Sequence, residues 1–284
     1  MSEGPKGLRS VERIESDNTD DSFSVRFQPE TTIWSVNGGY IAASMLNAVS
    51  ETSSFDTPTS LNIQFIRTVQ TGDAQIDVSP LHKSKTGAQL SKVTLTQSEK
   101  ARATADIWSY KPRNGPELRE SRMPIVPHAD ELKAVEELPQ AGLFSLPFWS
   151  VFEQRQIGGI DIGARRHNAP RCLRWLKYKG DNKNASRFLR AGMTIPIIDL
   201  LAVVAAKNGY GDNILVSLAP TINLVAHFYE LEKADGWLLG EAHAEYVGNG
   251  LLCGRVSIWS SHGELIAQGM TQMIMKDGSG EYTK

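Results

Sequence analysis

Cysteine is nearly absent from this sequence, with only Cys172 and Cys253 in 284 residues. They lie far apart and in no metal-ligand spacing. A disulfide scaffold is therefore not expected, and the scarcity fits a reducing compartment, the cytoplasm. Both read as small apolar side chains. An excess of charge of one sign is also missing: 30 Lys and Arg stand against 32 Asp and Glu, a net charge of −2. No basic surplus argues for a nucleic-acid partner, and no acidic tail argues for disorder. The longest apolar stretch, residues 195–206, is interrupted by Asp199. It falls short of the roughly 20 residues that a membrane span needs, so no membrane partner is expected. The six histidines (82, 128, 167, 227, 243 and 262) form no HExxH or similar cluster, which argues against a metal centre. P-loop, GxGxxG and GxSxG patterns are missing, so no nucleotide cofactor and no serine-nucleophile elbow are expected.

What is present is ordinary for a globular chain: 40% hydrophobic and 22% charged residues, and enough length for two domains with cores of their own. Residues 1–21 are polar and acidic with no apolar centre, and are expected to be a disordered or frayed leader rather than a secretory signal. The ending Glu281-Tyr282-Thr283-Lys284 is not of the Ser-Lys-Leu type. Alternation predicts a strand at 22–28 (SFSVRFQ). A nearly all-apolar helix follows at 40–49 (YIAASMLNAV), then strands at 60–67, 74–81, 88–97 and 101–110. One helix followed by consecutive strands implies an antiparallel sheet packed on that helix, an α+β unit.

From 111 to about 141 the pattern dissolves around Pro112, Pro116, Pro124 and Pro127, leaving a linker with one short helix near 129–137. The same order then recurs: a strand at 171–179, an apolar helix at 195–207 with Pro196 near its start, and strands at 217–229, 237–247, 251–260 and 264–275. Residues repeat as well as elements. Ser60 to Phe65 (SLNIQF) parallels 221–228 (TINLVAHF), and 90–95 (LSKVTL) parallels 253–258 (CGRVSI). A period near 160 residues is a domain duplication. The expected division is a leader at 1–21, a first unit at 22–110, a linker packed on the domains at 111–165 and a second unit at 166–278.

The run Trp34-Ser35-Val36-Asn37-Gly38-Gly39-Tyr40-Ile41-Ala42-Ala43 resembles the opening of the acyl-CoA thioesterase II-like family. Residues 220–228, Trp237-Leu238-Leu239, Gly250 and 262–267 continue that resemblance in order, and it covers about 22–276. It implies a double hotdog, two antiparallel sheets each wrapped around a central helix, that hydrolyses an acyl thioester with directly activated water. Neither metal nor covalent intermediate is implied. A hotdog dehydratase or isomerase on a β-hydroxyacyl or polyketide-type thioester, and a non-catalytic acyl-binding protein, are the alternatives. Self-association of the chain is left open.

Gly38, Gly39 and Tyr40, with Asn62, are the expected substrate-binding positions, because free N–H groups at a helix start can polarise a carbonyl oxygen. The glycines could equally serve a tight turn and close packing. The resemblance further implies a water-activating Asp on the second-half strand, with a Thr and a Gln on later strands. Asn223 stands at the Asp position, His243 near the Thr position, and Thr271 or Gln272 at the Gln position. An amide cannot take a proton at neutral pH. The base is therefore expected to be His243, with Glu245 on the same strand face or His227 beyond Asn223 as alternatives. Asp199 is a rival base: a lone carboxylate in an apolar helix is costly unless paired, with Arg190 one conceivable partner. Lys83, Lys85 and Lys92 are candidates for contacting the thiol carrier.

Overall fold

The structure, a computed structural model, describes residues 12–14, 21–138, 147–157, 169–180, 184–210 and 219–275. The first half contains β1 (Glu12–Ile14), β2 (Asp21–Phe27), α1 (Gly38–Thr52), β3 (Thr57–Phe65), β4 (Gly72–Lys83), β5 (Ala88–Gln97) and β6 (Lys100–Tyr110). The second contains β7 (Phe152–Gln156), β8 (Arg171–Tyr178), α2 (Arg187–Tyr210), β9 (Thr221–Phe228), β10 (Trp237–Gly248), β11 (Leu251–Ser260) and β12 (Leu265–Ile274). The strands form one sheet in the order β1-β2-β4-β5-β6-β3-β9-β12-β11-β10-β8-β7.

Read outward from the centre, β3-β6-β5-β4-β2 and β9-β12-β11-β10-β8 follow the same course, so the duplication seen in the residues is a duplication of topology. The two halves join where β3 and β9 pair antiparallel, with Leu61 opposite Ala226 and Ile63 opposite Leu224. Hairpin chemistry fixes the registers. Ser98 and Glu99, both at positive φ, link β5 to β6, and Asn249-Gly250, also both at positive φ, link β10 to β11. These are the two-residue turns whose twist matches the strands.

Each sheet half wraps one helix. Tyr40 to Leu46, Ala48 and Val49 of α1 are buried, as are Ile195, Ile197, Ile198, Leu201, Ala202, Ala205 and Ala206 of α2. A helix apolar all round needs such a wrapping. By length and composition 187–209 could cross a membrane, but 72% of its most apolar window is buried inside the protein, as in a core helix.

Four expectations change. Part of the expected leader, Glu12–Ile14, is a strand paired with β2, and the rest of it to residue 20 lies outside the described residues, as do His167 and the start of the strand expected at 217–229. The helix expected at 129–137 is two separate 3-10 turns, Ala129–Glu131 and Val135–Glu137. β7 has no counterpart in the sequence reading, since FEQRQ offers little apolar alternation. α2 starts eight residues earlier than expected, so Pro196 lies inside the helix. The connecting segment crosses the outer face of the second half, where Met123, Val126, Ala129 and Leu132 pack on Trp175, Leu239 and Trp259. The Pro127 carbonyl accepts from Trp175 Nε1 at 3.0 Å.

Candidate active site

α1 begins where Asn37 can cap it. The Asn37 side chain accepts from the Gly39 amide at 2.9 Å, and its backbone carbonyl accepts from Tyr40 and Ile41 at 3.1 and 3.2 Å. Of the first four helical amides, that of Gly38 makes no hydrogen bond among the described residues. Gly39 is where α1 meets α2: a Cβ there would fall 2.4 Å from Pro196 Cα. Only glycine lets the two helices approach so closely.

That approach brings the start of α1 onto Asp199, which is 3% exposed. Its Oδ2 accepts from Asn37 Nδ2 at 2.7 Å and from the Gly39 amide at 3.2 Å, and its Oδ1 accepts from Thr221 Oγ1 at 2.7 Å. Burial pushes the carboxyl above the usual aspartate range, and the donors Thr221, Gly39 and Asn37 only partly offset it. Thr221 reaches the helix because of a bulge in which Gln272 faces Asn223 but Met273 faces Thr221, leaving Ile222 as the extra residue.

A cavity of about 410 Å³ opens at this point, lined by Gly38, Phe65, Asp199, Thr221, Ile222 and Met273 among others. Residues before α1 and after β3 form one wall, and α2 with β9 the other, so both halves contribute. Arg67 and Lys207, both exposed, are the other charged side chains that line it.

The residues expected from sequence separate into two groups. Asp199 and Gly38 line the cavity, with Gly39 behind them, and Asp199 pairs with Asn37, Gly39 and Thr221, whereas Arg190 bonds the Ala185 and Glu232 carbonyls. The remainder do not join them. Asn223 bonds Asn62 and the Ile63 carbonyl and sits opposite Gln272, all on the sheet face turned away from the helices. Alternation already separates Asn223 from the inward-facing Leu224, Ala226 and Phe228, which was the available signal.

His243 lies on the outer face, its Nε2 3.1 Å from Glu241, whose Oε1 also accepts from Arg171 at 2.6 Å. Burial works to raise the Glu241 carboxyl, but these two partners hold it below its ordinary range. Glu245 accepts from Arg255, and His227 is exposed beside Ser60 and Gln268. Tyr40 is buried with its hydroxyl 3.3 Å from the Phe148 carbonyl, away from the cavity lining. Thr271 faces inward, 1% exposed, with no hydrogen-bond partner for its hydroxyl among the described residues. Lys83, Lys85 and Lys92 do not line the cavity. Sequence reasoning missed Thr221 and the capping role of Asn37; an Asn directly before Gly-Gly at a helix start was the sign of the latter. If the cavity is the site of turnover, Asn223→Ala, Gln272→Ala and His243→Ala, none of which lines it, are each expected to leave thioester turnover within about threefold of wild type, checked by thiol release.

Two duplicated sheet-wrapped helices that meet at one buried carboxylate define a double-hotdog protein. Residues 28–109 match the family model of the acyl-CoA thioesterase N-terminal domain, and 128–275 that of the acyl-CoA thioesterase C-terminal domain. The chain belongs to this acyl-CoA thioesterase family and is a thioester hydrolase. Acyl-CoA thioesterase II TesB2 from Mycobacterium marinum shares its fold, with 16% identity over 97% of this chain and 99% of the other at a TM-score of 0.76. The tesB protein of Mycobacterium avium subsp. paratuberculosis aligns at 18% identity over 96% and 97%, TM-score 0.73. More distant is the dehydratase domain of the polyketide PpsC from Mycobacterium tuberculosis, at 14% identity over 94% and 97%, TM-score 0.53. A comparison with curated proteins gives no significant match.

Proposed function

We propose that the cavity at the start of α1 is where this chain cleaves the thioester of an acyl-CoA, with Asp199 as the base that activates water. The observation that carries the reading is the occupancy of the Asp199 carboxylate. Its Oδ2 already holds two donors, whereas Oδ1 holds only Thr221 and so keeps a lone pair with which to bind a water molecule. A carbonyl oxygen placed against the Gly38 amide would receive the remaining donor at the positive end of α1.

The reaction then balances simply. Water oxygen bonds to the carbonyl carbon while its proton passes to Asp199 Oδ1, and the electron pair of the C=O collects on the oxygen at Gly38. Collapse of that intermediate breaks the C–S bond, and the departing thiolate takes the proton back from Asp199. Thr221 holds Oδ1 in place through its hydroxyl. No histidine lines the cavity among the described residues, so a dehydratase reading would have Asp199 alone to move the proton.

The rim favours CoA as the carrier. Arg67 and Lys207 stand at the mouth with no carboxylate partner among the described residues, a suitable setting for a phosphate-bearing thiol. Release of thiol from a panel of acyl-CoAs tests the assignment. Turnover is expected, and binding without turnover would overturn it. Reversing both rim charges (Arg67→Glu with Lys207→Glu) is expected to raise KM for acyl-CoA about tenfold or more while kcat holds, one decade being 1.4 kcal/mol of binding. The same variant should be unaffected on an acyl N-acetylcysteamine thioester, which carries no phosphate. An equal rise in KM for both substrates would remove the rim from carrier recognition.

A further inference from the structure

The second-half carboxylate depends on a first-half side chain. We propose that Asn37 is a positioning residue for hydrolysis: its amide ties the start of α1 to Asp199 and fixes Oδ1, rather than Oδ2, as the oxygen that meets water. This rests on the reading of Asp199 as the base.

Three observations carry it. The Asn37 amide spans two partners at once, Oδ1 accepting from the Gly39 amide at 2.9 Å and Nδ2 donating to Asp199 Oδ2 at 2.7 Å. The opposite amide orientation would set an oxygen against the carboxylate and an NH2 against an N–H, so the partners fix it. Asn37 is itself 7% exposed and lines the cavity, so its amide occupies a place beside Asp199 that cavity water would otherwise take. Finally, no cation holds the carboxylate among the described residues. The groups that line its cavity from α1, β9 and β12 are uncharged, and the charged ones, Arg67 after β3 and Lys207 two turns along α2, are exposed at the rim.

Without Nδ2, Oδ2 keeps only the Gly39 amide, and both oxygens then have a vacant lone pair. Water can bind on the unproductive side, and the buried anion loses one of three donors. Asn is also the helix cap, so the two roles must be separated. Serine caps a helix about as well as Asn but is too short to span both partners. Aspartate caps equally well but replaces the donor with a second carboxylate, and two carboxylates at that separation share one proton.

The test is the pH–rate profile of kcat and kcat/KM for Asn37→Ser and Asn37→Asp on acyl-CoA, beside Asp199→Asn and thermal melting of all four proteins. For Asn37→Ser we expect melting within a few degrees of wild type, kcat about tenfold lower at neutral pH, KM within about twofold, and an acid limb displaced upward by roughly one pH unit. Asn37→Asp should displace the limb further and regain rate as the pH rises. A wild-type profile for Asn37→Ser alongside an inactive Asp199→Asn overturns the positioning role alone. So does a loss in Asn37→Ser that tracks a lowered melting temperature and leaves the limb in place. Wild-type turnover in Asp199→Asn overturns the base assignment, and the inference with it.

Discussion

Asp199→Asn is expected to lower kcat/KM for acyl-CoA by about a hundredfold to ten-thousandfold, the usual worth of a general base, while the protein folds normally. The substitution suits the site. An amide oxygen in place of Oδ2 still accepts from Asn37 and the Gly39 amide, and its NH2 in place of Oδ1 donates to Thr221, whose hydroxyl can accept. What is lost is the capacity to take a proton.

Stability should move the other way. Burial raises the carboxyl above its unfolded value, so the folded protein binds the proton more tightly than the unfolded chain does. The stabilisation this gives is complete below the ordinary aspartate range and is lost as pH rises through the raised value. At neutral pH the charged Asp199 therefore costs stability, and Asp199→Asn is expected to melt at or above the wild-type temperature. That advantage should shrink as the pH is lowered. In the wild type, kcat/KM should fall on the acid side at a pH above that of an ordinary aspartate. Melting curves and pH–rate profiles of the two proteins check both signs, and a variant that is inactive because it is unfolded would fail the comparison.

Gly39→Ala is the second large effect. By helix propensity alone, replacing a glycine inside α1 with alanine should stabilise by about 0.5–1 kcal/mol. Here the added methyl would stand 2.4 Å from Pro196 Cα and 2.7 Å from Pro196 N, both backbone atoms that cannot swing aside, and 2.9 Å from Asn37 Oδ1, which the Gly39 amide holds. The helices must separate, at an overpacking cost of about 1–3 kcal/mol or more. For a chain of this size that corresponds to a melting temperature lower by roughly 2–12 °C. Separation also withdraws the Gly39 amide from Asp199, so activity should fall more than the melting temperature alone would explain. A more stable Gly39→Ala would mean that α1 and α2 are not in the contact described.

Much of the architecture was legible because its signals are local. The two apolar helices, the strands at 88–97 and 251–260, and the 60–65/221–228 repeat all stand in the structure close to where alternation and composition put them. Asp199 was legible as well, since a carboxylate inside IPIIDLLAVV demands a reason. The rest of the site was harder for identifiable reasons. Thr221 faces α2 only because a bulge interrupts the alternation of β9, and a bulge is decided by the pairing strand β12. His243 was placed by likeness of position because alternation on β10 is masked: Leu238 is buried on the inner face and Leu239 on the outer, under the connecting segment. Asn223 is different, since its outward direction could have been read from its own strand. The contact between Asn37 and Asp199 spans 162 residues, and no local pattern announces it.

The position of the acyl carbonyl is decisive, and a crystal structure with a non-hydrolysable acyl-CoA ketone, in which CH2 replaces the thioester sulfur, measures it directly. We expect the carbonyl oxygen within about 2.7–3.2 Å of the Gly38 amide nitrogen, its carbon facing a water held by Asp199 Oδ1, and the nucleotide toward Arg67 and Lys207. An acyl group seated elsewhere, for example over Asn223 and His243 on the outer face of the sheet, would contradict it.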